Sequence, residues 1–225
     1  MSVMNRTSMF GNPFIGIFSK TSDNITLVGK NVADKFIENL DVLKTKIIKI
    51  SVLDSNIIGF YSIINNKGIL ISHLASDKEI ELIKKETNNI GLNFGITKSN
   101  YTAMGNNVVA NDFGAIINPD MEEASVRMIK DILDVEIVKA TIAGYKTVGA
   151  AVVATNSGFI SHSKASQEEL DLMSSLFHVD GGIGTANIGV PFLGISIIAN
   201  KNGFVVGDLT TGYESGRIND CLGFL

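Results

Sequence analysis

The sequence predicts an α/β fold of five ββαβ units arranged in a ring about a pseudo-fivefold axis, and three recurrences within its 225 residues point there. A short apolar segment carrying one glycine repeats as FIGIFS, IIGFYSII, AMGNNVV, TVGAAVV and FLGISII. Its anchors are Gly16, Gly59, Gly105, Gly149 and Gly194, with spacings of 43, 46, 44 and 45. Nine residues after the anchor, four of the five segments carry a second glycine, at Gly68, Gly114, Gly158 and Gly203, where the first has Ile25. An amphipathic segment then follows at the same place in the first four. Such self-similarity marks an array whose members bury their apolar faces against one another.

Within each unit the anchor segment reads as an apolar strand. Asp23-Asn24, Asn66-Lys67, Asp112-Phe113, Asn156-Ser157 and Lys201-Asn202 favour turns that tolerate positive φ, so a hairpin leads into a second strand such as GILIS, GAII, GFIS or GFVV. Helix starts are marked by the capping boxes Ser76 to Glu79 and Ser166 to Glu169, and by Asn118-Pro119 as a cap followed by a first-turn proline. Met121, Ala124, Met128 and Ile132, like Leu170, Met173, Leu176 and Phe177, give their helices one apolar stripe to lay on a sheet. A returning strand follows as TKIIKISV, NFGITKS, VEIVKATI and GTANIG. The fifth unit has a helix at residues 213–222 and no such strand, while residues 6–10 belong to no other unit. They are expected to complete the fifth unit and close the ring, which removes exposed sheet edges. One domain over 1–225 is expected, with units near 12–54, 55–100, 101–144, 145–189 and 190–225, inner strands lining the axis and helices outside.

Composition excludes several classes. The chain is 45% hydrophobic and 19% charged, with 22 glycines and 3 prolines, unlike a disordered, collagen-like or coiled-coil protein. Its 19 Lys plus Arg against 23 Asp plus Glu leave a net charge of -4, so no broad basic surface offers counterion release, and DNA is not an expected partner. Cys221 is the only cysteine, which excludes an intrachain disulfide and a multi-cysteine metal site and fits a reducing cytoplasm. The first residues lack the pattern of a secretory signal, so the sequons at Asn5, Asn24 and Asn100 are expected to be coincidental. Residues 181–200 carry no charge over a bilayer's length. Gly181, Gly182, Gly184, Gly189, Gly194 and Pro191 would break a spanning helix there, so two buried strands joined at a turn are expected and no membrane partner.

Thr102-Ala103-Met104-Gly105-Asn106, Asn111-Asp112, Asn118-Pro119-Asp120, Val148-Gly149, Thr155-Asn156, Gly184-Thr185-Ala186-Asn187-x-Gly189 and Asp208-Leu209-Thr210-Thr211-Gly212 stand in this order at repeat positions. Together they resemble the archaeal initiation factor 6 family over about residues 6–225. The resemblance implies the pentein fold, a closed five-bladed α/β propeller. Guanidine-modifying enzymes, which use a Cys nucleophile, a His and paired carboxylates, share that shell. One departure bears on turn geometry: ISHL and ISHS, with His73 and His162, stand where the family commonly has a proline.

The same resemblance implies that Asn106 lies on the face that docks to the large ribosomal subunit. By residue type alone it is equally a polar residue opening a strand. Pseudo-symmetry adds the other residues that follow an anchor glycine, Ile17, Phe60, Ala150 and Ile195. This mostly apolar set suits a protein-binding face, and equally a set of buried inner-strand side chains. Cys221, His178 and Asp180 would be the members of a thiol-hydrolase site, which needs a low thiol pKa and a base within reach. A core thiol at helix spacing from Ile218 and a helix-end histidine after Leu176 and Phe177 are the plainer readings. GGIGTANIG runs into a strand rather than a helix N-terminus and so lacks phosphate-loop geometry. His73 and His162 are expected on surface turns, without a metal.

As a whole, the resemblance implies a non-enzymatic anti-association factor without a cofactor. Such a monomer binds the free large (50S) subunit near the sarcin-ricin loop, chiefly through a ribosomal protein with limited rRNA contact, and blocks joining of the small (30S) subunit. An acidic protein that docks on protein neutralises few phosphates, so a shallow salt dependence is expected. The alternatives are a guanidine-modifying hydrolase using Cys221 and a non-catalytic pentein that binds a small molecule.

Overall fold

A computed structural model describes residues 3–88 and 90–224. The chain opens with β1 (Met4–Thr7), then runs through β2 (Ser19–Thr21), β3 (Ile25–Gly29), α1 (Asp34–Glu38), β4 (Lys46–Ile50), α2 (Ile58–Tyr61), β5 (Ser62–Ile64), β6 (Gly68–Ser72), α3 (Asp77–Asn88) and β7 (Asn93–Thr97). It continues through α4 (Met104–Asn107), β8 (Val108–Ala110), β9 (Gly114–Ile117), α5 (Glu123–Leu133), β10 (Glu136–Lys139), α6 (Val148–Ala151), β11 (Val152–Ala154), β12 (Phe159–His162), α7 (Gln167–Phe177), β13 (Gly181–Gly184), β14 (Ile197–Asn200), β15 (Gly203–Gly207) and α8 (Gly212–Cys221).

Five three-stranded sheets result, each with one plan. A short inner strand pairs antiparallel with the next strand through the Asn/Asp turn, and a third strand adds parallel to that one after the helix. In the fifth sheet the third strand is β1, with Met4 opposite Phe204 and Thr7 opposite Gly207. The N-terminal segment thus supplies the third strand of the fifth sheet, over Met4–Thr7 rather than residues 6–10.

Several local expectations are corrected. Each anchor glycine sits in a single helical turn just before the inner strand, in α2, α4, α6 or the 3-10 turns Ile15–Ile17 and Leu193–Ile195, and not inside the strand. Close backbone packing explains this. A methyl on Gly59 would overlap the Gly16 carbonyl oxygen, one on Gly105 that of Gly59, one on Gly149 that of Gly105, one on Gly194 that of Gly149, and one on Gly16 that of Gly194. These contacts pass through all five segments and return to the first. Among the described residues the sheets themselves remain separate, with no ladder joining one to the next.

Helix α5 starts at Glu123, because Asn118 closes a turn in which its Oδ1 accepts from the Asp120 N–H at 2.9 Å. Its buried face is therefore Ser125, Ile129 and Leu133, and Ala124 is exposed. The returning strand of the fourth sheet is Gly181–Gly184, whereas Ala186 to Val190 form a bridged turn. Ser166 and Glu169 form the expected capping box, and Thr211 and Glu214 form another.

The second glycines seat the helix of the following unit. A methyl on Gly68 would meet the Ile132 carbonyl, one on Gly114 that of Leu176, one on Gly158 that of Cys221, and one on Gly203 that of Val42. Apolar clusters likewise straddle neighbouring sheets: Ile63 and Leu70 of the second pack with Met104, Val108 and Ile117 of the third. Interlocking of adjacent units is thus the source of the buried apolar area that drives folding. Among the described residues no helix is long and apolar enough to cross a membrane.

Candidate functional site

The five inner strands surround a narrow channel whose cavity is about 50 Å³. Its two ends differ in chemistry. At the hairpin-turn end the units are stitched together by a polar ring. The Asp23 N–H donates to Asn66 Oδ1 at 3.0 Å, the Asn66 N–H to Asp112 Oδ1 at 2.8 Å, the Asp112 N–H to Asn156 Oδ1 at 3.0 Å, and the Lys201 N–H to Asp23 Oδ1 at 3.0 Å. Lys201 cannot accept from the Asn156 N–H, which leaves the ring one bond short. At its centre the Asn66 and Asn156 amides both donate to Oδ2 of Asp23 and of Asp112, at 2.7 to 2.9 Å. Beneath this ring Asn65, Asn111 and Asn200 reach into the following unit. Asn111 Nδ2, for example, donates to the carbonyls of Thr155 at 3.0 Å and Phe177 at 2.8 Å. The side-chain groups of Asp23, Asn66, Asp112 and Asn156 thus find their partners inside the protein, and the Asn156 N–H is the exception.

At the anchor-glycine end the connections between units stand out as turns. Met9–Asn12, Val52–Ser55, Ile142–Tyr145 and Ala186–Val190 are each closed by an isolated bridge. Large apolar side chains are exposed on them: Phe10 (72%), Leu53 (54%), Tyr145 (43%) and Ile188 (69%). Leu209 and Tyr213 add to this end, where the helix after β15 begins. Phe10, Leu53 and Ile188 hold left-handed backbone, with φ of 53, 54 and 61 degrees, a region that side-chain-bearing residues rarely adopt.

Carboxylates from the helix starts hold these turns in place. Glu79 accepts from the Asp54 N–H at 3.0 Å and the Ser76 N–H at 2.8 Å. Glu122 accepts from the Ser99 hydroxyl and the Asn100 N–H, Glu169 from the Ala143 N–H, and Glu214 from the N–H groups of Ile188, Gly189 and Thr211. Burial works to raise the Glu79 pKa, but the backbone and hydroxyl donors of Ser76 and Asp54 outweigh it and bring the group down to about 2. Glu214 is lowered by the same balance, and Glu122 chiefly by the Ser99 hydroxyl.

The residues singled out from the sequence lie at this second end. Ile17, Phe60, Asn106 and Ile195 are half-buried on the single helical turns, and Ala150 is buried. The Asn106 side-chain amide makes no hydrogen bond among the described residues, so it is available to a partner. Sequence patterning does not point to Phe10, Leu53, Ile188, Leu209 or Tyr213. An apolar residue in a predicted turn gives no local sign that it will be held outward at positive φ.

Cys221, His178 and Asp180 do border one groove, together with Arg217 and Asp220. The chemistry is wrong for a nucleophile: burial pushes the Cys221 thiol up, and the His178 ring packs on Phe113 at 5.0 Å from the helix end, as the plainer reading had it. His162 is 2% exposed, not on a surface turn, and lies between Tyr145 and Phe192 with its pKa lowered by burial, while His73 is exposed. Among the described residues no group of three His, Cys, Asp or Glu could hold a metal ion.

A family model described as the eIF-6 family matches residues 4–221. Curated proteins called translation initiation factor 6 are similar along nearly the whole chain. That of Pyrococcus horikoshii is 38% identical over 225 residues and that of Pyrococcus abyssi 39%, each comparison covering 99% of both chains. The Methanocaldococcus jannaschii protein is 38% identical with all of both chains covered. With one ring of glycine contacts, no reactive thiol and this match along its length, the chain belongs to the eIF-6 family, a family of non-enzymatic translation initiation factors.

Proposed function

We propose that this protein binds the large (50S) ribosomal subunit through its anchor-glycine end and thereby blocks joining of the small (30S) subunit. One observation carries the reading. Of eight large apolar side chains exposed among the described residues, six (Phe10, Leu53, Tyr145, Ile188, Leu209 and Tyr213) stand at that end, and Leu82 and Phe113 stand elsewhere. An apolar face rimmed by polar groups is what a protein partner covers. Asn106, Phe60, Ile17 and Ile195 form its inner rim, and Ala150 contributes backbone shape rather than side chain.

The cycle of glycine contacts supports a closed five-bladed propeller of pseudo-fivefold symmetry over the whole chain, with units near 12–54, 55–100, 101–144, 145–189 and 190–225. A rigid shell with a preformed face loses little conformational freedom on docking, which favours tight binding by a modest interface. The mechanism is occlusion by a cytoplasmic monomer, with no chemical step and no cofactor. A ribosomal protein is its main contact and rRNA a lesser one, in keeping with the net charge of -4.

Sedimentation tests this directly. Purified archaeal large subunits are mixed with the protein, then with small subunits, and resolved on a sucrose gradient. Co-migration with the large subunit and loss of the joined peak are expected. A protein left at the top of the gradient while joining proceeds overturns the reading.

A further inference from the structure

The channel has one residue that its own repeat does not explain. At the fourth position after each anchor glycine stand Lys20, Ile63, Val109, Val153 and Ile198. Four are apolar, as a position turned away from bulk water favours, and among the described residues Lys20 is the only ionisable side chain along the channel wall. No carboxylate among the described residues pairs with it. The adjoining cavity is lined by the polar ring, where the Oδ2 atoms of Asp23 and Asp112 keep their charge but accept from the Asn66 and Asn156 amides and form no ion pair with Lys20. Lys201 flanks Asp23 at 3.7 Å from its Oδ2.

Ser19, beside Lys20 on β2, also lines the channel. It is 1% exposed and its hydroxyl has no partner, whereas the hydroxyl of its counterpart Ser62 donates to the Ile58 carbonyl at 2.7 Å. Burial lowers the Lys20 ammonium to about 8, which still leaves it charged at neutral pH. Lys20 is half-buried, and a charge partly withdrawn from water without a counter-charge is unfavourable, which pairing relieves.

We propose that the channel between the five inner strands binds a small monovalent anion, of halide size, against the Lys20 ammonium. Size narrows the choice of ligand: about 50 Å³ holds only a few waters, each needing roughly 10 to 15 Å³, and so favours a small ion over a nucleotide. Apolar walls at Ile63, Val109, Val153 and Ile198 favour an anion that sheds its water easily, chloride or bromide over fluoride. The site owes nothing to the docking face, so it stands or falls independently of the ribosomal reading.

Two measurements test it. Thermal melts of the full chain at pH 7 compare sodium chloride with sodium gluconate, whose anion is too large to enter, at matched ionic strength. Above its Kd chloride should raise Tm by about 3 to 5 °C per tenfold increase, given the size of the chain. Lys20→Met and Lys20→Ile, which restore the side-chain class of the other four units, should fold and lose that rise. Crystals soaked in bromide should show an anomalous peak within ion-pair distance of Lys20 Nζ. An equal chloride effect in the wild type and both variants overturns the proposal, as does bromide found only at exposed lysines, an adventitious ion only.

Discussion

Both ends of the channel are built from the same five-fold repeat, yet one is closed on itself and the other is left open. At the hairpin-turn end the side chains of Asp23, Asn66, Asp112 and Asn156 are consumed by one another and by neighbouring N–H groups. At the anchor-glycine end the polar groups that matter, the carboxylates of Glu79, Glu169 and Glu214, face inward to hold turns whose apolar side chains face out. Polar groups satisfied within the chain give stability, and apolar groups left unsatisfied give a surface for something else. On the proposed function one end carries stability and the other recognition, and substitutions at each can break that division.

The largest loss is expected at the closed end. Asn111 is 4% exposed; its amide bridges to Thr155 and Phe177 of the next unit, while Oδ1 accepts from the Phe113 and Gly114 N–H groups at 2.9 and 3.1 Å. Asn111→Ala strands buried donors and acceptors and should cost about 4 kcal/mol in denaturant unfolding. The side chain of Thr155, at the same rank of the repeat, makes only local bonds, so Thr155→Ala should cost about 1 kcal/mol. Equal losses would show that bridging between units is not what the asparagines contribute. Gly105→Ala comes next at about 3 kcal/mol, because its methyl must displace the Gly59 carbonyl. A melt unchanged by that substitution would mean that the glycine contacts are dispensable.

The closed end was the more legible in sequence. Spacing of the glycines gave the number of units, and the Asn/Asp pairs before the second glycine marked the turns. What those pairs do across units was not readable, because a bond from Asn66 to Asp112 appears only once the units stand side by side. Of the open end, the residues after the anchors were identified by position, whereas Phe10, Leu53 and Ile188 were not. Turn preferences describe which residues adopt positive φ easily, and these three adopt it against preference. Lys20 was within reach, since aligning the units at their anchors already sets it against Ile63, Val109, Val153 and Ile198.

Glu79 sharpens the comparison through pH. Its folded pKa of about 2 lies below the ordinary 4.5, so the unfolded chain binds more protons in that interval. Its contribution is fully present above pH 4.5 and is lost as pH falls toward 2. Glu79→Gln keeps the shape but turns a donor toward the Asp54 or Ser76 N–H, and should cost about 2 kcal/mol at pH 7. Between pH 5 and 3 the variant should lose stability less steeply than the wild type. Identical slopes would remove Glu79 from the account of acid sensitivity.

The smallest effect on stability should accompany the most informative effect on binding. Ile188 is a β-branched residue at φ 61 degrees with 69% of its surface exposed, a placement that costs the fold conformational strain and returns little packing. Ile188→Gly relieves that strain and loosens the unfolded chain by a similar amount, so the two should cancel to within about 0.5 kcal/mol. The Glu214 bonds to the N–H groups of residues 188 and 189 are unaffected by the side chain and keep the turn in place. If the open end is the docking face, this variant should melt like the wild type and bind large subunits more weakly, with faster dissociation. If it binds unchanged and instead melts lower, Ile188 belongs to the stability of the ring, and the division between the two ends fails at the residue that most strongly suggests it.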